Sequence, residues 1–278
     1  MRTIVHLSDL HFGRVDYGLV DPLIDAIREI RPDLVAVSGD LTQRARTAQF
    51  IEARRFLDAL PKPLIAVPGN HDVPLYNPLA RFLYPLVKYR RYISKNLEPF
   101  YGDEQMAVVG VNTARSLTIK NGRINRRQLD RIRDRLCDYP DAVIKIVLTH
   151  HPFDLPKNSR ESDLVGRARI AMEALASCGV DIFLAGHLHV SHAAHTGERY
   201  RIVGYRALVI SAGTALSIRT RGENNAFNVL RIEHPKVGLE RYTWQPENGR
   251  FIPSVAESFE RRADGWMRIA NEALHSSD

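Results

Sequence analysis

The sequence predicts an α/β fold: two β-sheets packed on one another with helices outside, as a single domain over residues 1–278. Three observations carry that expectation. Residues 1–70 alternate apolar, β-branched runs with amphipathic segments in units of about 30 residues, as parallel strands joined by right-handed helical crossovers do. The part beyond residue 186 instead shows short strand patterns with turn residues between them, which suits antiparallel pairing. Apolar residues make up 44% of the 278, ample for a core.

The elements follow in order. Residues 3–7 form the first apolar run. A helix at 21–30 puts Leu23, Ile27 and Ile30 on one face, and Arg31-Pro32 stops it. A strand at 34–37 precedes a helix at 47–60, where Phe50, Ala53, Phe56, Leu57 and Leu60 recur at helical spacing before Pro61 and Pro63. A third strand covers 64–67. Residues 73–97 break the rhythm. They contain no acid, and Arg81, Lys88, Arg90, Arg91 and Lys95 alternate with Tyr76, Phe82, Tyr84, Tyr89 and Tyr92. Pro74, Pro78 and Pro85 cut the stretch into short helices or turns, so it reads as an insertion. Strands are then expected at 106–111, 143–148 and 180–184. Helices are expected at 125–139, with Leu129, Ile132 and Leu136 inward, and at 163–178. Short strands at 207–211, 226–232 and 239–244 lead to the turn Glu247-Asn248-Gly249. Residues 261–275 are expected to form a terminal helix carrying Trp266, Ile269 and Leu274.

The net charge is +7. It points to an anionic partner such as a phosphate ester, nucleic acid or lipid head group, although solubility alone explains it equally well. Cys137 and Cys178 lie far apart on expected helices. They suggest neither a disulfide framework nor a zinc knuckle, and are expected as buried thiols of a reducing compartment. The first apolar run is too short for a signal peptide, and no stretch approaches 18 uninterrupted apolar residues. The expected location is the cytoplasm, with peripheral contact at a membrane left open.

Five strand ends carry hard metal ligands: Asp9-Leu10-His11, Gly39-Asp40, Gly69-Asn70-His71-Asp72, Thr149-His150-His151 and Gly186-His187-Leu188-His189. Each is weak alone, since an Asp at a strand end commonly caps a turn. Together they converge, because strand ends on one sheet edge meet in space. Residues i and i+2 of an extended segment also point to one side. Asp, Asn and His donors without Cys suit Mn²⁺, Fe, Zn²⁺ or Co²⁺. There are more ligands than one ion needs, so a two-metal hydrolytic centre is expected.

The series Asp-x-His, Gly-Asp, Gly-Asn-His-Asp, His, Gly-His-x-His resembles the calcineurin-like metallophosphoesterase family. The resemblance implies a four-layer αββα sandwich of two mixed sheets and a phosphoric diester hydrolase. It implies one metal on Asp9, His11 and His189, and a second on Asn70, His150 and His187, with Asp40 bridging both. It also implies attack by a hydroxide held between the ions, with His71 serving the leaving group. Many relatives carry an acid three residues after the bridging Asp, where this chain has Gln43. The orientation of His71 is then left to Gln43 or Asp72. His151 is expected to be structural, and His192 and His195 to lie on the surface or in loops.

The metal pattern does not select a substrate. The short motif spellings look like the bacterial cyclic-nucleotide and glycerophosphodiester phosphodiesterases. The 73–97 segment, which begins three residues after Asn70, is expected beside the cleft, with Arg81, Arg90, Arg91 and Tyr76 as candidate substrate contacts. Trp266 and neighbouring Arg residues could extend that surface. The expected substrate is a small phosphodiester or a phospholipid head group. A cyclic-nucleotide phosphodiesterase, a nuclease and a non-catalytic scaffold are the alternatives, and nucleic acid is the less expected partner.

Overall fold

The structure is a computed structural model that describes residues 1–118, 120–156 and 159–270. In chain order the first half forms β1 (Arg2–Leu7), α1 (Val20–Ile30), β2 (Leu34–Val37), α2 (Thr47–Ala59), β3 (Leu64–Ala66), α3 (Pro78–Leu83), α4 (Val87–Tyr92), β4 (Phe100–Gly102) and β5 (Met106–Gly110). Then come α5 (Arg126–Leu136), β6 (Ile144–Leu148), α6 (Ala168–Ala176), β7 (Ile182–Ala185), β8 (His192–His195), α7 (Gly197–Tyr200) and β9 (Leu208–Ser211). The last strands are β10 (Ala226–Glu233), β11 (Lys236–Gln245), β12 (Arg250–Arg262) and β13 (Gly265–Ile269).

These strands make two mixed sheets, ordered β13-β12-β11-β10-β1-β2-β3 and β4-β5-β6-β7-β9-β8. Strands β1, β2 and β3 are parallel neighbours, as are β5, β6, β7 and β9. Three apolar layers bind the sandwich. Ile4, Ala36, Ile146, Leu184 and Leu230 fill the space between the sheets. On the first sheet's other face, Val5, Leu7, Val35 and Val37 meet Leu23, Ile27, Phe50 and Leu57 from α1 and α2. On the second sheet's outer face, Val109, Val147 and Phe183 meet Leu129, Ile132, Met172 and Leu175 from α5 and α6. Central strands are therefore buried on both faces, which is why they read as mostly apolar runs. The fold is the expected αββα sandwich.

Three expectations fail. The terminal helix is a hairpin: β12 pairs with β13 antiparallel around Ala263-Asp264, and the rest of that expectation, including Leu274, lies outside the described residues. Trp266 and Ile269, three apart, mimic a helical stripe. In fact Trp266 is buried between the sheets, where its Nε1 donates to Asp181 at 2.9 Å, so it adds nothing to a surface. Second, Cys137 and Cys178 are joined as a disulfide with Cα atoms 4.5 Å apart. They follow α5 and α6, which lie side by side, a neighbourhood that a separation of 41 residues does not reveal. The cysteines therefore lend no support to a reducing compartment. Third, His192 and His195, expected on the surface or in loops, are half-buried on the edge strand β8.

Candidate metal centre

The loops after β1, β2 and β3 in one sheet and after β6 and β7 in the other bring the motif residues together. Around Asp9, Oδ1 lies 3.2 Å from His189 Nε2 and 3.5 Å from His11 Nε2. The two histidine nitrogens are 3.1 Å apart. Across the site, Asn70 Oδ1 lies 3.0 Å from His150 Nε2 and 3.1 Å from His187 Nδ1. Between the two sets stands Asp40, whose Oδ2 is 3.7 Å from His11 Nε2 and 3.4 Å from His150 Nε2. Its other oxygen, Oδ1, accepts the His71 backbone N–H at 2.8 Å. A single oxygen is thus the shared atom.

This donor set suits divalent cations. Lone pairs that face one another at about 3 Å repel unless a cation or a proton sits among them. Asp9 Oδ1 is buried and accepts no hydrogen bond, so a metal would satisfy an otherwise orphaned atom. Two of the rings are oriented by their far nitrogens. His150 Nδ1 donates to the Ser38 carbonyl at 2.7 Å and His189 Nδ1 to the Arg219 carbonyl at 2.9 Å, which leaves each Nε2 free to ligate.

The backbone is bent to this purpose. Asp9, His11, Asp40, His187 and His189 all have φ between 51° and 74°. Each such non-glycine residue costs on the order of 1–3 kcal/mol, which the surrounding packing must offset. The i, i+2 pairs thus meet through left-handed turns, not through the extended alternation expected. Neighbouring glycines leave room for the carboxylates: a Cβ on Gly69 would fall on Asp40, and one on Gly186 would strike Ser8 and Asp9.

Charge is set by competition between burial and neighbours. Burial opposes ionisation of Asp9 and Asp40, yet the histidines around them hold both carboxyls well below the usual range. Burial pushes His11 down to about 4 and His187 to about 3, so both are neutral and ready to ligate. Burial acts on His150 too, but Asp40 and Asp9 lift it to about 9. In the metal-free protein that imidazole carries the proton that a metal must displace. Apparent Mn²⁺ affinity should therefore rise about tenfold per pH unit between roughly pH 6 and 8 and level off above about 9. Competition against a metal-indicator dye measures this, and a flat profile would show that no such proton is displaced.

Residues 2–191 match the calcineurin-like phosphoesterase family. The chain belongs to that family. Among its relatives, a glycerophosphodiester phosphodiesterase of Enterobacter lignolyticus is 38% identical over 81 residues, covering 25% of this chain and 29% of that protein. A probable cyclic nucleotide phosphodiesterase of Synechococcus is 26% identical over 159 residues, covering 54% and 58%. The chain therefore matches about half or less of these relatives' lengths. Among solved structures, the purple acid phosphatase of yellow lupin seeds overlays with a TM-score of 0.68 at 13% identity, covering 92% of this chain and 53% of that one. That likeness speaks for the fold alone.

His71 is held from both sides of its ring. Its Nδ1 donates to the main-chain carbonyl of Gln43 at 2.9 Å, and its Nε2 lies 3.3 Å from Arg219 Nη1. The backbone of Gln43 thus orients the ring, and no acid is needed. The Gln43 side chain accepts from Arg219 instead. Asp72 does not touch the ring; its carboxylate accepts from the amides of Leu41, Thr42 and Gly69 and pins the second loop to the third. His151 is occupied at both nitrogens, by Thr113 Oγ1 and the Lys120 carbonyl.

The expected substrate contacts lie elsewhere. Arg81 is buried, donating to the carbonyls of Pro74, Ser116 and Thr118. Arg90 donates to the Lys95 carbonyl and Arg91 lies over the Tyr92 ring. Tyr76 comes nearest: Arg44 lies over its ring and reaches to 3.4 Å from His71 Nδ1. A cleft of about 170 Å³ opens over Asp40, Asn70 and His71, and its cations are Lys120, Arg160, Arg219 and Arg221, with Asp163 among them. Sequence reading missed these four. One signal was available: Arg219-Thr220-Arg221 follows the strand β9, which is parallel to β7 and so ends on the same edge.

Proposed function

We propose that the protein is a binuclear metal-dependent phosphodiesterase that acts on a small phosphodiester or a phospholipid head group. The observation that carries this reading is the position of Asp40 Oδ2 between two complete donor sets. Asp9, His11 and His189 would hold one cation, and Asn70, His150 and His187 the other, each with Asp40. Bound there, the cations would supply an activated water and neutralise charge on the phosphoryl oxygens.

The chain's own groups do the rest. Gln43 fixes the ring of His71 so that Nε2 faces the cleft beside Arg219, the position from which a proton reaches a leaving oxygen. Arg219, Arg221, Lys120 and Arg160 draw the anionic substrate in, and guanidinium forks fix its non-reacting oxygens. Diesters are favoured because the relatives above are named for glycerophosphodiester and cyclic-nucleotide substrates. The second of those names supports a cyclic nucleotide such as cyclic AMP as the competing substrate.

Purified protein should hydrolyse bis-p-nitrophenyl phosphate when supplied with Mn²⁺, and chelation should abolish the activity. Glycerophosphocholine and cyclic AMP, assayed side by side, then decide the substrate class. Hydrolysis that survives chelation, or none with Mn²⁺, Zn²⁺ or Co²⁺, would contradict the proposal.

A further inference from the structure

Helix α3 is inside out. Leu79, Phe82 and Leu83, spaced i, i+3, i+4, form its apolar stripe, and they are 69%, 55% and 59% exposed. Its arginine points inward: Arg81 is 5% exposed and donates to the carbonyls of Pro74, Arg115, Ser116 and Thr118. A surface helix ordinarily does the reverse. The arginine clamp fixes the helix in this orientation, since turning it would strip a buried guanidinium of all its acceptors.

The exposed stripe is part of a larger face. Tyr76, Tyr84 and Val87 are also more than half exposed. Scattered apolar side chains on a surface are ordinary, but six within residues 76–87 form a patch of the kind that marks an interaction site. We propose that this face seats the protein on an anionic lipid surface.

Three observations favour lipid as the occupant. Exposed Arg90, Arg91 and Lys95 flank the patch, and no acid lies between Asp72 and Glu98. Apolar residues with tyrosines and flanking cations are the composition of an interfacial segment on acidic head groups. Leu83, Tyr84 and Val87 also wall an apolar groove of about 400 Å³ that reaches Val73, next to the metal loop, room for part of an acyl chain. A second copy of this chain is disfavoured, because a two-fold contact through this face would bring the cations together. Among the described residues no helix is long and apolar enough to cross a membrane. Through Tyr76 and Arg44 the face borders His71, so docking would turn the cleft toward the head groups.

The inference needs neither metal nor catalysis, so the full-length protein is tested in chelator. It is sedimented with phosphatidylcholine vesicles with and without phosphatidylglycerol. Wild type should pellet with the anionic vesicles and less with neutral ones. Leu79→Ser/Phe82→Ser/Leu83→Ser should bind at least about tenfold more weakly. Arg90→Glu/Arg91→Glu should lose only the preference for anionic lipid. Both variants should melt as wild type does, because the changed side chains are exposed. Wild type remaining in the supernatant, or a triple variant that pellets like wild type, overturns the proposal. So does a wild-type dimer in sedimentation velocity without vesicles that the triple variant abolishes, since a second copy would then own the face.

Discussion

Asp40→Asn should lower kcat/KM for bis-p-nitrophenyl phosphate by about a thousandfold or more and reduce the bound metal by at least one equivalent. The substitution keeps shape and removes the shared oxygen. Oδ1 of Asp40 accepts the His71 amide N–H, so the asparagine carbonyl must take that side. Its NH₂ group then faces His11 and His150, where Oδ2 stood. An amide nitrogen is a donor and cannot ligate a cation. Metal content by plasma emission after dialysis, together with steady-state rates, measures both effects. Wild-type turnover in this variant would mean that the shared oxygen plays no part.

His71→Ala should act differently. Its ring touches the site from the cleft side, with Nε2 4.0 Å from Asp40 Oδ2, and neither proposed ligand set includes it. Metal content should stay unchanged. The rate loss should depend on the leaving group: about a thousandfold for an alkoxide such as choline or glycerol, and under about tenfold for p-nitrophenolate, which departs without a proton. Equal losses on both substrates would assign His71 to charge stabilisation in place of proton transfer. Loss of metal would make it a ligand.

The residues gathered at the candidate metal centre were legible because each strand end announces itself: a mostly apolar run gives way to Asp9, Asp40, Asn70, His150 or His187. The order of elements as far as β7 was legible for the same reason, apart from the short β4, down to the bounds of β2 and the start of α2. The route by which the ligands meet was not. Left-handed φ at Asp9, His11, Asp40, His187 and His189 follows from loop-to-loop hydrogen bonds such as His11 N to the Asp40 carbonyl, which residue types do not encode. The last hairpin was misread because Trp266 and Ile269 fit a helical spacing, while the turn residues Ala263-Asp264-Gly265 between Arg262 and Trp266 carried the better signal. The cleft cations stayed hidden for a statistical reason. With 39 Lys and Arg in the chain, a cation's sequence position says little about which ones face the metals. The 73–97 segment illustrates this, since one of its candidate arginines, Arg81, is a buried clamp.

A crystal of the full chain soaked in Mn²⁺, with data collected at the manganese edge, examines the central claim directly. Two anomalous peaks should flank Asp40 Oδ2, one bonded to Asp9, His11 and His189, the other to Asn70, His150 and His187. A single peak, or peaks away from Asp40, would contradict the account.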